Sequence, residues 1–237
     1  MVTLPESRNA AVETRIPFLL SVNGGFVDTM SFLALHGLFA AHVTGNFVTL
    51  GATLVLGTSG ATAKLLALPM FCAAVVVAHL LSFRLRRMGV AVLRTTLLLM
   101  LLLLLAAAVL AVWRGPFANG DSAGALLTGM TLVAAMAVQN AAHRIHLPHS
   151  PPSTMMTGTT TQIMIDIANL LHGENPLDRP ATRARVRRLS AIVGAFAFGC
   201  AAAALGFAFL REWTFFVPPA VALLAYLFAP RSDAPAA

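Results

Sequence analysis

Long apolar stretches separated by short polar ones run along almost the whole chain, and we divide them into eight segments. Six of these are long enough as helices to cross about 30 Å of hydrocarbon, at a rise of about 1.5 Å per residue, although the last is marginal. The predicted segments are residues 16–41, 43–56, 65–83, 93–113, 123–142, 155–171, 189–210 and 215–229.

The second and sixth segments differ from the rest. The second is short, and the sixth is polar, with the run "TGTTTQ" near its start. Each carries a Thr-Gly step, at Thr44 and at Thr157, and each step follows a polar residue in the preceding segment. Thr44 follows Asp28 by 16 positions, and Thr157 follows Asn140 by 17. This spacing indicates a weak internal repeat.

Composition assigns the chain to the membrane. Of its 237 residues, 58% are hydrophobic and 11% are charged, whereas a soluble domain carries about 25% charged residues. So few polar groups cannot cover a globular surface in water. Residues 1–15 are polar, and Asn23 and Asp28 interrupt the apolar stretch that follows, so we expect no cleaved signal peptide.

The arginines predict the topology. The formal net charge is +7, and arginines cluster at residues 84–94 and 179–188. These clusters could indicate nucleic-acid binding, but cytoplasmic loops of membrane proteins are enriched in arginine and lysine. We therefore predict lipid and no nucleic acid as a partner, and we predict that both clusters are cytoplasmic loops.

Two loops on one side of a membrane need an even number of crossings between them, but three segments lie between these clusters. We therefore predict that the sixth segment enters the membrane and returns, and by analogy the second does the same. The predicted fold is an all-α transmembrane bundle of six spanning and two re-entrant helices, with both termini cytoplasmic. Its two halves, 16–113 and 114–229, are inverted repeats, flanked by a segment 1–15 and a tail 230–237.

The Thr-Gly steps have a chemical use at a helix start inside a membrane. The first turn of such a helix has unpaired N–H groups, which a Thr or Asn side chain can cap and which attract anions. Glycine there lets a backbone or a ligand come close. The alternative is ordinary packing of small residues between helices. The predicted substrate-binding residues are Asp28, Thr44, Gly45, Asn46, Gln139, Asn140, Thr157, Gly158 and Thr159.

Two acidic residues lie within apolar segments. Asp28 and Asp166 could carry a coupling proton or cation, because ionisable groups at membrane depth are costly and usually functional. The alternative is a structural, hydrogen-bonded aspartate. His143, His146 and His149 have a spacing that could suggest a metal, but the prolines around them favour a solvated loop. No catalytic or nucleotide-binding motif is present, so we predict no enzyme, no cofactor and no metal.

The stretches "GGFVDTMSFLALHGLFAAHVTGNFVTLG" and "AVQNAAHRIHLPHSPPSTMMTGT" resemble the YoaK-type family, bacterial inner-membrane proteins that form a domain family of unknown function. The resemblance covers nearly the whole chain, and Ala137 replaces an expected glycine. It implies a location in the bacterial inner membrane and implies no substrate. The residues that carry it are Gly25, Asp28, Thr44, Gly45, Asn46, Gln139, Asn140, Thr157 and Gly158.

Together these patterns predict a transporter of a small, anionic solute. The main alternative is a membrane-embedded binding or assembly protein without transport, such as a lipid-interacting factor, and an intramembrane enzyme ranks third. The sequence leaves open whether two copies associate as a homodimer.

Overall fold

Eight α-helices and one short 3-10 stretch make up the part of the chain that the structure describes. In this computed structural model, that part is residues 6–148, 150–154, 156–172 and 179–231. The helices are α1 Glu6–Ala34, α2 Gly45–Leu56, α3 Ala61–Arg87, α4 Val92–Arg114, α5 Ala123–His146, α6 Met156–His172, α7 Arg179–Leu210 and α8 Val217–Phe228, with the 3-10 stretch Arg211–Phe216 before α8.

Two predicted boundaries were wrong. The first segment does not continue to residue 41, because α1 ends at Ala34, and His36 and Gly37 then adopt φ values of 54° and 83° that no helix allows. The arginine clusters are mostly helical and not loops, because Arg84, Arg86 and Arg87 lie in the last turn of α3, and residues 179–188 form the first turns of α7. Arginine is a good helix former, so this helix continues beyond its apolar part into water.

The apolar helices make this a multi-pass membrane protein. Five helical stretches are long and apolar enough to cross a bilayer, within the described residues. The fifth, Arg179–Phe228, contains both α7 and α8. On α3, large apolar side chains such as Val76, Val77 and Leu80 are exposed, as expected for contact with lipid.

The helix ends fall into two groups at opposite ends of the bundle. At one, which we call the arginine end, Arg15 of α1 lies 5.2 Å from the ring centre of Phe228, and Arg94 of α4 lies 4.6 Å from that of Tyr226. At the other, which we call the Asp121 end, Asp121 accepts a hydrogen bond of 2.8 Å from the backbone of Gly60, just before α3.

The fifth apolar stretch reverses direction at its 3-10 turn. Arg187 of α7 and Phe228 of α8 line the same cavity at the arginine end. Glu212, in the 3-10 stretch between them, lies against Gly115 at the far end of α4. Helix α7 therefore runs the length of the bundle, and the 3-10 stretch together with the 12 residues of α8 returns along it. The six segments predicted to span correspond to α1, α3, α4, α5, α7 and α8, of which the last two form one candidate span.

The centre of the bundle is formed by α1 and α5, the two most buried of the apolar helices. Helix α1 packs backbone to backbone against α7 at two glycines. A Cβ atom added to Gly25 would lie 2.1 Å from the carbonyl oxygen of Phe196, and one added to Gly199 would lie 2.1 Å from that of Val22. Small residues permit this approach, which brings the centre of α1 close to α7.

Candidate functional site

The chain after α1 turns back towards the middle of the bundle, and Asp28 holds it there. The carboxylate of Asp28 accepts hydrogen bonds from the backbone N–H groups of Ala41, at 2.6 Å, and of His42, at 3.0 Å. Ser31 also donates to the carbonyl oxygen of Leu38 at 2.9 Å. As a result the chain before α2 is held against α1 six residues back from its end at Ala34, and α2 then leads to Gly60 at the Asp121 end.

The chain after α5 behaves in the same way at the opposite end. Thr154 donates its hydroxyl to Oδ1 of Asn140 at 2.8 Å, and the amide of Gln139 donates to the hydroxyl of Ser153 at 3.2 Å. This segment therefore lies beside α5, and α6 begins in the middle of the bundle. It then runs back to the arginine end, where Asp166 meets Arg185.

The two short helices therefore start in the same region, and one cavity lies between their starts. Its volume is about 290 Å³. Its walls include Thr44, directly before α2, and Thr157 and Gly158 in the first turn of α6. Asn140 and Thr154 contribute further polar groups. Both halves of the sequence motif thus contribute polar groups to one cavity, whose other walls include the apolar side chains of Leu68, Phe71 and Met156.

Four of the predicted binding residues line this cavity: Thr44, Asn140, Thr157 and Gly158. The other five do not. Asp28, Asn46, Gln139 and Thr159 are buried, and Gly45 packs against the ring of Phe39.

Asn46 and Gln139 instead hold the backbone in place. The amide of Asn46 donates to the carbonyl oxygen of Phe39 at 2.8 Å and accepts from its N–H at 2.9 Å. Oε1 of Gln139 accepts from Asn23 at 2.8 Å, and its amide nitrogen donates to the carbonyl oxygen of Leu20 at 2.9 Å. The hydrogen bonds of Gln139 therefore hold α5 against α1 at the centre of the bundle.

One detail of the predicted chemistry was wrong. Thr44 makes no side-chain capping hydrogen bond to α2. The first N–H groups of α2, those of residues 45–47, instead donate to the backbone carbonyl oxygens of residues 42–44 at 2.9–3.2 Å. A Cβ atom added to Gly158 would have no neighbour within 4 Å, so the space beside this glycine is open to a ligand.

Each short helix is fixed to the next helix by a basic residue. Asp166 of α6 pairs with Arg185 of α7 at 2.5 Å and 2.6 Å, and it accepts from Gln162 at 2.8 Å. On α2, Thr53 accepts from the ammonium group of Lys64 at 2.9 Å, which also donates to the carbonyl oxygen of His36 at 2.6 Å.

Sequence reasoning missed Lys64 and Arg185. Lys64 could have been identified from the sequence, because it is the only lysine of the chain and directly precedes an apolar run. Arg185 had no such signal, because it is one of several arginines in a cluster.

The Asp121 end is closed by a polar network around a loop aspartate. Besides Gly60, the N–H group of Thr62 donates to Asp121 at 2.8 Å. His36 bonds to the carbonyl oxygen of Phe117 at 2.8 Å. Partial burial alone would raise the pKa of Asp121, but the hydrogen bonds from Gly60 and Thr62 outweigh it and hold this pKa below its usual value.

The three histidines do not form a loop cluster in the described residues. His143 and His146 lie in the last turn of α5, and His149 lies outside the described residues. The described part of the chain contains no group of three potential ligands placed to hold a metal ion.

The fold and the cavity define a multi-pass α-helical membrane protein in which two short helices start at a shared central site. The chain belongs to the family described as "Protein of unknown function (DUF1275)", whose model matches residues 16–228. This agrees with the resemblance noted in the sequence. No curated protein and no solved structure matches the chain.

Proposed function

We propose that this protein transports a small, anionic solute across the bacterial inner membrane, and that the solute binds in the cavity between the starts of α2 and α6. The observation that carries the proposal is that Thr44 and Gly158, from the two halves of the chain, line one cavity. Sites at the starts of broken helices near the midplane are a common plan of secondary transporters.

The chemistry of the cavity favours an anion or a carbonyl oxygen. The N-terminal ends of α2 and α6 both lie at this cavity, and each directs the positive end of a helix dipole towards it. Thr44, Thr157 and Asn140 can add side-chain hydrogen bonds, and no aspartate or glutamate is among the described residues of its wall. A negative group there would be attracted from both sides.

An inverted repeat would let such a site be reached from either face of the membrane. Several contacts support this repeat. Asp28 and Asn140 each hold the segment that leads into a short helix. Thr53 follows Thr44 by nine positions, and Asp166 follows Thr157 by nine. Both bind a basic residue of the next helix. We therefore propose residues 16–113 and 114–229 as the two repeats, with α2 and α6 re-entrant from opposite faces.

The charges set the proposed orientation. The arginine end carries both arginine clusters, whereas Asp121 lies at the other end. By the distribution of basic residues in membrane proteins, the arginine end and both termini face the cytoplasm.

Asp28 and Asp166 act first as positioning residues in this proposal. Their carboxylates are occupied by the N–H groups of Ala41 and His42 and by the guanidinium of Arg185, respectively. A coupling role for either remains a prediction, as does a homodimer. The proposal includes no enzyme activity and no cofactor.

Binding can be tested by thermal unfolding of the purified protein in the presence of anions, nucleobases and organic acids. A ligand at 100 times its dissociation constant stabilises a protein by about 2.7 kcal/mol. Substitution Gly158→Val would fill part of the cavity, and we expect binding at least about tenfold weaker. Gly51→Val is the matched control, because Gly51 also lies on a short helix with no neighbour within 4 Å of an added Cβ, but outside the cavity wall.

The same solute should enter proteoliposomes that contain the natural protein and the Gly51→Val variant, and enter more slowly with Gly158→Val. Binding without uptake would replace transport by the alternative, a non-transporting binding or assembly protein. Equal binding by both variants would place the site elsewhere.

A further inference from the structure

A second, larger cavity lies at the arginine end between α1, α7 and α8. Its volume is about 590 Å³, within the range of small-molecule sites. Phe18, Ile192 and Phe228 contribute apolar walls, and Arg15, Arg187 and Arg188 also line it. It shares no lining residue with the central cavity.

The arginines of this cavity lie where apolar helix surface begins. Arg15 directly precedes Ile16, the first residue of a long apolar stretch of α1, and Arg188 directly precedes Leu189 on α7. A helix that enters a bilayer places such arginines in the headgroup layer, where their charged heads stay hydrated. The apolar walls from Phe18 and Ile192 then lie one turn deeper, at the level of the acyl chains.

These positive charges lack acidic partners within the described part of the chain. The only carboxylate–guanidinium pair there joins Asp166 to Arg185. Arg15 contacts the ring of Phe228 at 5.2 Å, which orients its guanidinium but does not neutralise it. Arg187 and Arg188 are exposed. Three like charges around one cavity repel one another unless an anion lies between them.

We propose that this cavity binds one anionic phospholipid, with its phosphate on Arg15, Arg187 and Arg188 and an acyl chain along Phe18 and Ile192. Basic pockets between transmembrane helices are suited to anionic headgroups. The apolar walls distinguish this ligand from a free phosphate ion, which would gain nothing from them. The lipid would join α1 to α7 and α8, independently of any solute in the central cavity.

The test is thermal unfolding of the full-length protein in detergent, titrated with phosphatidylglycerol or with phosphatidylcholine of the same acyl chains. We expect stabilisation by phosphatidylglycerol at much lower concentration. The double substitution Arg187→Gln and Arg188→Gln should weaken the apparent affinity on the order of 25-fold, at about fivefold per arginine. The control, Arg84→Gln with Arg87→Gln, removes the same charge from exposed residues at the same end that do not line this cavity.

Two further experiments distinguish a lipid phosphate from a free phosphate ion and test the apolar wall of the cavity. Inorganic phosphate at millimolar concentration should neither stabilise the protein nor compete with the lipid. Phe18→Ala should weaken lipid binding, and because Phe18 is 42% exposed the fold should persist. Equal stabilisation by the two lipids, competition by inorganic phosphate, or equal affinities of the two double variants would each overturn the proposal.

Discussion

Asp28 on α1 and Asn140 on α5 perform the same task for the two halves of the chain. Asp28 accepts the N–H groups of Ala41 and His42, just before α2, and Asn140 accepts the hydroxyl of Thr154, just before α6. Each residue draws the chain back into the bundle and thereby sets where a short helix starts. The polar residues that precede the Thr-Gly steps thus hold the segments that lead into the two short helices.

Substitutions at Asp28 should separate its anchoring role from a coupling role. Asparagine keeps one acceptor oxygen but places an amide against an N–H donor, and alanine removes both oxygens. Hydrogen bonds to charged groups contribute about 1.5–3 kcal/mol each, so we expect Asp28→Asn to lower the melting temperature and Asp28→Ala to lower it further. If Asp28 also couples an ion, uptake by the folded Asp28→Asn variant loses its ion dependence. Unchanged melting in both variants would contradict the anchoring role.

The close packing of α1 and α7 at Gly25 and Gly199 predicts that two glycine substitutions on α7 will have opposite effects. Gly199→Ala would place a methyl group against the carbonyl oxygen of Val22 and push α7 away from α1. Overpacking of this kind costs about 1–3 kcal/mol. Gly194→Ala, on the same helix with open space around it, should be neutral or stabilising by up to about 1 kcal/mol. Thermal unfolding of the two variants measures the difference, and equal melting temperatures would refute close packing at Gly199.

The pair of Asp166 and Arg185 should contribute a measurable coupling energy. Asp166 has a fully buried side chain, whereas that of Arg185 is 48% exposed, so solvent weakens the pair. A double-mutant cycle with Asp166→Asn and Arg185→Gln should give a coupling of about 1–2 kcal/mol. Arg183→Gln, an exposed neighbour on α7, serves as the control and should show no coupling to Asp166→Asn.

Acid should loosen the Asp121 end of the bundle. The folded pKa of Asp121 lies below its usual value of 3.8, so its contribution to stability is complete above that value and is lost as the pH falls through the folded pKa. Melting temperatures recorded between about pH 5 and pH 3 should therefore fall less steeply for Asp121→Asn than for the natural protein. If the melting temperatures of the two proteins fall equally with pH, the carboxylate of Asp121 does not stabilise the loop.

The topology can be tested by labelling single cysteines from one side of the membrane in intact cells. Asn119 and Arg183 are exposed at opposite ends of the bundle, and Cys72→Ser removes the exposed natural cysteine. We expect an impermeant reagent to label Asn119→Cys and to leave Arg183→Cys unlabelled until the cells are opened. Labelling of both positions from outside would contradict the re-entrant path of α6.

The sequence alone determined the class of protein, the positions of the apolar helices and the two irregular segments. These features follow from local composition, because hydrocarbon selects apolar runs of sufficient length wherever they occur. The short length of the second segment and the polar run of the sixth were sufficient to identify α2 and α6 as exceptional. The arginine clusters predicted that the sixth segment turns back, and the second was predicted to do so by analogy.

Tertiary structure decided which polar residues meet. The partners of Asp166 and Lys64 lie on other helices, and hydropathy carries no information about which helix faces which. The close approach of α1 and α7 at Gly25 and Gly199 could not be predicted for the same reason. The sequence does not distinguish a glycine at a helix contact from one in open space. Only the packing of the helices placed Thr44 and Gly158 at one cavity and made Asp28 an anchor for the chain before α2. Buried polar groups must form hydrogen bonds, and their partners depend on which helices pack together.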